Sequence, residues 1–416
     1  MAKKILAIAL IAIVAVSAAA CFVACEEEPT PYADLVAVRV NNFMAEWENI
    51  DYNFTYEGSS VLKVSVPYTN YLSVDDLIVS PGAEYKVYED EGKTKQLTDL
   101  SKIYVDGTKT LYIDVTNGEL SNSYSVEVTV KQTNLPPESE IADKQYDNRG
   151  GHIYIPDGAE TVMIDGVEYT VQRARCNPIT NENIILAEDA YCFHVDGSDY
   201  SAIFNGNGYE VQLDAPTIFV NTLEDGGVVK NVTFSIYRQS ENAGPLDLGG
   251  IIAGHGVCLT NNGIIENVKT TIRYKVSGGL DATIPSETPI TLGYFARENN
   301  GEIRNCLNVG EIASQFNTTN VQMGSFAIRQ YGTLDNCVNT APVQHEFTYK
   351  EDKVSGAGAI AFETSADAVY KGVFNTGECI HGEIEEKYLD KKLNGLFFRT
   401  RFENGYPDLS RIKNYR

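Results

Sequence analysis

Chemistry on a polypeptide needs groups that converge, and this chain offers few that sequence spacing brings together. The five histidines are His152, His194, His255, His345 and His381, and no two stand at metal-ligand spacing. Asp189, Asp196, Asp199 and Asp214 lie between Gly-rich corners and are the one set that could line a Ca²⁺ loop. Otherwise neither metal nor cofactor is expected. Glycoside hydrolysis would need paired carboxylates. Lyase chemistry would need carboxylates holding Ca²⁺ beside an Arg or Lys base. Arg297, Arg329 and Arg399 stand in shifting register, while Glu298 and Glu363 share a register two repeats apart, with no carboxylate set beside them. A Gly-x-Ser-x-Gly elbow, a phosphate loop and a dinucleotide fingerprint are all missing from the sequence. No catalytic residue is therefore expected. Tyrosine is abundant, at 25. Exposed rings stack on sugars or fill protein hot spots, which makes Tyr191, Tyr200, Tyr209, Tyr237, Tyr274 and Tyr294 candidate ligand contacts. Core packing is the competing use of the same rings.

One thiol has a different chemistry. Lys3 and Lys4 precede an apolar run from Ile5 to Ala20, then Cys21-Phe-Val-Ala-Cys25 and the acidic Glu26-Glu27-Glu28-Pro29. A basic start, an apolar stretch and small residues before a cleavage point make residues 1–24 a signal peptide. Phe22-Val23-Ala24-Cys25 resembles the lipobox of bacterial lipoproteins, with Phe22 where Leu is usual, and Cys21 is the weaker alternative. The resemblance implies acylation of Cys25, a lipid anchor in the cell membrane and an acidic, Pro-containing tether over 25–33. Plain secretion and an uncleaved anchor are the alternatives. All three place the folded part outside the cytoplasm.

The chain has 33 Lys and Arg against 57 Asp and Glu, a net charge of −24. Such a surface repels nucleic acid and anionic polymers at long range. Six cysteines follow Cys25, spread over two hundred residues without a close pair. They are expected to be mostly buried thiols, with room for one or two disulfides.

Residues 34–132 alternate with a period near two, most clearly in Leu35–Val40, Val61–Val66, Thr110–Thr116 and Tyr124–Val130, and Pro81-Gly82, Asp106-Gly107 and Asn117-Gly118 punctuate them. A small β-sandwich is expected. Tyr124–Val130 and Gly107–Ile113 resemble the closing strands of cadherin-like sandwiches of bacterial surface proteins; a generic immunoglobulin-like domain is the competitor. Residues 133–150 lose periodicity, carry Pro136-Pro137 and are expected to be a linker or a capping segment.

From 151 the chain becomes rich in Gly and Asn and repeats itself. Gly227-Val-Val-Lys-Asn231-Val, Gly263-Ile-Ile-Glu-Asn267-Val, Gly301-Glu-Ile-Arg-Asn305-Cys and Gly332-Thr-Leu-Asp-Asn336-Cys share one pattern, and Ala368-Val-Tyr-Lys-Gly372-Val is a degraded fifth copy. A second element keeps step: Gly250-Ile-Ile-Ala253, Gly293-Tyr-Phe-Ala296, Gly324-Ser-Phe-Ala327, Gly358-Ala-Ile-Ala361 and Gly395-Leu-Phe-Phe398. Short apolar runs in register suit stacked coils that share one core. Val232, Val268, Cys306, Cys337 and Val373 are expected to form an inward column. Asn231, Asn267, Asn305 and Asn336 are expected to form a structural ladder whose amides satisfy turn backbone. Ala253, Ala296, Ala327 and Ala361 are expected to form a small-residue column, broken by Phe398. The repeats, over about 227–407, resemble the GLUG-type repeats of Gram-positive surface proteins, and Phe204–Leu213 resembles the first full coils of a pectate-lyase-like β-helix. The fold class expected is all-β: a small N-terminal sandwich followed by a right-handed parallel β-helix over 151–413, with residues 151–203 supplying the N-terminal cap.

These readings imply a surface-anchored, non-catalytic adhesion or recognition protein. The sandwich serves as a spacer, and the β-helix flank binds a glycan or an extracellular protein. A polysaccharide lyase or hydrolase of the β-helix class is the first alternative. A structural envelope protein is the second.

Overall fold

The computed structural model describes residues 31–48, 60–131, 152–178, 181–192, 198–214, 218–236, 246–247, 253–254, 256–277, 290–315, 321–345, 356–381, 393, 395–400 and 406–415. Cys25, the leader, the linker over 133–150, Tyr237, Asp196, His194 and His255 lie outside them.

The first unit is built from β1 (Leu35–Val40), β2 (Phe43–Met44), β3 (Glu46–Trp47), β4 (Val61–Val66), β5 (Tyr71–Leu72), β6 (Val74–Val79), β7 (Glu84–Tyr88), β8 (Gln96–Leu97), β9 (Ile103–Tyr104), β10 (Thr108–Asn117) and β11 (Leu120–Val130). A three-stranded sheet, β2-β1-β6, packs on a six-stranded one, β3-β4-β11-β10-β7-β8. Alternation decides which faces meet: Leu111, Ile113 and Val115 of β10 and Tyr124, Val126 and Val128 of β11 are buried in the shared core. The hairpin between these two strands turns at Gly118, whose φ of 60° suits a residue without a Cβ.

The strand β1 departs from alternation. All six of its residues are buried, as in strands covered on both faces. Leu35, Val38 and Val40 enter the sandwich core. Val36 and Ala37 turn the other way and, with Met44, pack on Leu307, Val338, Phe374 and Tyr415 of the second unit. The sandwich therefore lies side-on against the repeats and is not the spacer the sequence suggested. Even the end of the expected tether is packed: Ala33 is buried in the sandwich core, and Tyr32 stacks edge-on against Tyr415.

The second unit is a parallel β-helix with four faces per coil. One coil runs through Cys258–Asn261, Ile264–Thr270, Tyr274–Ser277 and Ile290–Leu292 before Ala296–Asn299 opens the next. Stacking yields sheets of seven, fourteen, five and four strands. A hairpin of Thr161–Ile164 with Val167–Arg175 begins the stack, and Ile412–Asn414 ends it on Val373–Asn375.

Val232, Val268, Cys306, Cys337 and Val373 are all buried in one core, and Val232 pairs in register with Val268. Just before each stands a residue with left-handed backbone: Asn231 (φ 53°), Asn267 (50°), Asn305 (54°), Asn336 (47°) and Gly372 (58°). Asn tolerates that region better than other side chains, and Gly tolerates it freely. The degraded fifth copy thus keeps the backbone requirement while losing the amide. Gly263, Gly301 and Gly332 answer a different need. A Cβ on each would run into the carbonyl oxygen of the glycine one coil before.

The small-residue column contains Ala296, Ala327 and Ala361, flanked by Cys258 and Phe397. Ala253 pairs instead with Thr291 on another face, and Phe397, not Phe398, continues the register. The two outer copies were displaced because a Gly-apolar-apolar motif occurs at more than one place in a coil. All six cysteines after Cys25 are free thiols, five of them buried.

Candidate functional site

The seam between the units is fixed by the corner asparagines. Met44 N–H donates to Asn267 Oδ1 at 2.9 Å, and Asn267 Nδ2 donates to the Asn42 carbonyl at 3.1 Å. Asn336 Nδ2 donates to the Ala45 carbonyl at 3.1 Å, and Asn305 Nδ2 to Glu46 Oε1 at 2.5 Å. Asn267 also donates to Asn231, and Asn336 to Asn305. The ladder is real but interrupted between Asn267 and Asn305, and its backbone partners belong to the sandwich, not to the turns. Lys269 adds an ion pair to Asp76 at 2.7 Å, which also meets the buried Arg39 at 3.3 Å. Burial pushes the Arg39 pKa down, and Asp76 and Asp75 oppose that shift.

Above this seam opens a cleft of about 710 Å³. Glu46 and Trp47 on the short β3, which pairs with β4, and Glu48 just after it form one wall. Trp47 is half-buried between Tyr124 of the sandwich and Phe374 of the helix, at centroid distances of 6.0 and 6.4 Å. Glu266, Glu302, Arg304, Asp335 and Lys371 form the other wall, with Asn305 and Asn336 between.

Four of those solenoid residues belong to a column. Lys230, Glu266, Arg304, Asp335 and Lys371 pair in register through successive coils, each just before the corner residue. Their charges alternate. Arg304 meets Glu266 at 3.2 Å and Glu302 at 3.5 Å, and Lys371 meets Asp335 at 3.6 Å. A second alternating column runs along another face as Glu298, Arg329, Glu363 and Arg399. The sequence expectation of no ionisable set at equivalent positions, and of shifting register for Arg329 and Arg399, is therefore corrected. A search for like groups passes over a column whose sign changes at every step.

The cleft carboxylates are occupied. Arg304 holds Glu266 and Glu302, Lys371 holds Asp335, Asn305 meets Glu46, and Lys63 meets Glu48 at 2.5 Å. A general acid needs a carboxyl kept protonated by an apolar surround. Here each carboxylate instead has a cation or an amide beside it. The cleft consequently offers many acceptors, two amides and one aromatic edge.

The aromatic candidates divide. Tyr200 and Tyr294 are fully buried, and their hydroxyls donate to the carbonyls of Glu182 and Glu311. They are core residues, not ligand contacts. Tyr209 is partly buried and stacks on His152 at 3.8 Å; burial, with Asp189 and Glu188 nearby, pushes its pKa up to about 12. Tyr191 is half-buried on Ile184–Cys192, and Tyr274 lies on the strand Tyr274–Ser277. Tyr191, Tyr200, Tyr209 and Tyr294 are not among the described residues that line the cleft. Asp189 accepts from Glu210 N–H, while Asp199 and Asp214 are exposed. Among the described residues no three His, Cys, Asp or Glu side chains gather as a metal site.

Comparison with family models, with curated proteins and with solved structures returns no match. The cadherin-like and GLUG-type resemblances accordingly rest on the sequence motifs alone.

Proposed function

We propose that this chain is a lipid-anchored surface protein, acylated at Cys25 and facing outward, that recognises a glycan without covalent chemistry. The observation that carries the reading is the cleft between sandwich and solenoid, walled by Glu46, Trp47 and Glu48 on one side and Glu266, Glu302 and Asp335 on the other. Ionised carboxylates only accept hydrogen bonds, amides do both, and sugar hydroxyls can meet either. A protein partner is disfavoured, because protein interface cores are depleted in charge and this cleft is charged at its centre. The convergence of carboxylates also favours a second reading, glycoside hydrolysis, against which stands the cation or amide already held by each.

The test is a glycan array on the full chain, run beside assays for reducing-sugar and unsaturated-product release. Saturable binding without product is expected, weakened at least fivefold by Glu302→Gln or Asp335→Asn with unchanged melting. Turnover abolished by either substitution would replace recognition with catalysis. For the anchor, Cys25→Ser is expected to move the protein from the membrane to the soluble fraction; retention at the membrane would exclude acylation there as the anchor.

A further inference from the structure

The cleft does not stop at Glu266. A second hollow of about 360 Å³ shares Glu46, Glu266 and Asn305 with it, and a third of about 220 Å³ shares Lys131 and Lys230 with the second. Together they make one groove along the seam, and its charge reverses along its length. At the far end Asp165 is, among the described residues, the one carboxylate in the wall, beside Lys131 from the sandwich and Lys230 from the solenoid.

The reversal follows from pairing. In the alternating column Glu266 is taken by Arg304 and Asp335 by Lys371, so an odd cation, Lys230, remains at the N-terminal end. The residue in register beyond it is the uncharged Asn205. On the opposite wall Lys63 is taken by Glu48 and Glu127, and Lys131 remains. Among the described residues neither Lys131 nor Lys230 has an ion pair. Two surplus cations, one from each unit, thus line the same hollow, over an apolar floor that includes Phe43, Ile153 and Tyr169. With Asp165 as the facing carboxylate, the two lysines leave the hollow with a net positive charge, which an entering anion would offset.

We propose that this end of the groove is an anion subsite for a single carboxylated sugar, such as a uronic acid; the inference rests on the glycan reading above. A polyanion is disfavoured by the net charge of −24, which repels it at long range. Lys230 and Asp335 are three strand spacings apart, about 14 Å at ~4.8 Å per step. The ligand is therefore a short oligosaccharide with its carboxylate at the lysine end and neutral or amino sugars at the Trp47 end.

The experiment compares two oligosaccharides that differ only in whether the terminal sugar carries a carboxylate or a hydroxymethyl group. Binding to the full chain is measured by calorimetry at low and physiological salt. The acidic member is expected to bind at least tenfold tighter, with a preference that shrinks in salt and disappears in the Lys131→Met/Lys230→Met double variant. Because neither lysine is paired, the variant is expected to melt as the wild type does and to keep its affinity for the neutral member. Equal binding of the two sugars, or a preference that survives the double variant, overturns the subsite and leaves the glycan reading intact. If neither sugar binds, and an acidic peptide of similar length does, both readings fall.

Discussion

The solenoid carries two kinds of amide ladder, and they behave differently. The outer one, at the corners, hands its bonds to another unit. The inner ones close on themselves. Asn261 donates to Asn299 at 2.7 Å and Asn299 to Gln330 at 3.0 Å. On the next face Thr270, Asn308, Asn339, Asn375 and Asn414 form an unbroken chain with steps of 2.7 to 2.8 Å. Asn308, Asn339 and Asn375 also donate to the carbonyls of Gly310, Ala341 and Gly377. Buried amides are tolerated because every step is satisfied. The lesson is that repetition alone does not assign a residue its job: the same side chain, repeated at the same interval, staples coils together in one place and docks a domain in another.

The sharpest contrast is in alkali. Tyr124, Tyr200 and Tyr370 are held protonated by burial. An unfolded phenol ionises near pH 10, so above that pH the unfolded chain binds fewer protons and stability falls. Each fully buried phenol adds a loss of about 1.4 kcal/mol per pH unit. Thermal melts from pH 8 to 11.5 should show a plateau and then a steep decline from about pH 10. Ultraviolet titration should find the inner phenols ionising only with unfolding, while Tyr209 titrates near 12. A flat melting profile to pH 11.5 would contradict the burial of these rings.

Breaking the inner ladder comes next. Asn339→Leu takes the acceptor from Asn308 and the donor from Asn375 and Ala341, and should cost about 3–5 kcal/mol in urea unfolding, at ~1–3 kcal/mol per orphaned group. At the outer ladder, Asn267→Ala should cost about 2–3 kcal/mol, since it loses the bonds to Met44 and Asn42 and adds left-handed strain. Asn267→Gly should recover about 1 kcal/mol of that, as Gly372 already does in the fifth copy. Equal costs for Ala and Gly would remove backbone strain from the account.

Charge reversal along the half-buried column should matter least. Arg304→Glu is expected to cost under ~1 kcal/mol, and adding Glu266→Arg should restore most of it. A large unrecovered loss would mean that Arg304 does more than pair.

Much of this architecture was legible in the chain, for a physical reason. A corner that must be left-handed admits Asn or Gly, and a column that must be buried admits Val or Cys, so Asn305-Cys306 and Asn336-Cys337 announce a coil. The inner ladder was also visible, three residues past each corner at Asn308, Asn339 and Asn375, but a buried amide and an exposed one look the same in a string of letters. The alternating column was hidden by its changing sign. The cleft was out of reach, because Trp47 and Glu302 line it together only through the contact between units, and no local pattern encodes such a contact. The buried Tyr200 and Tyr294 looked like surface aromatics for the same reason.

The course of β1 has a consequence for assembly. It runs against the direction of stacking. Asp34 meets Lys413 at 2.5 Å and Tyr415 at 3.2 Å on the final coil, whereas Asn42 reaches Gly208 at 3.0 Å near the first. Eight residues at ~3.3 Å span about 26 Å, close to the ~29 Å of six strand spacings. Coils can add to one another as the ribosome delivers them, but β1 obtains its partners Lys413 and Tyr415 only after every intervening coil has been delivered. Loop closure over such a separation is slow. The sandwich must therefore wait, with one oily side uncovered, until the coils that carry Leu307, Val338, Phe374 and Tyr415 are in place.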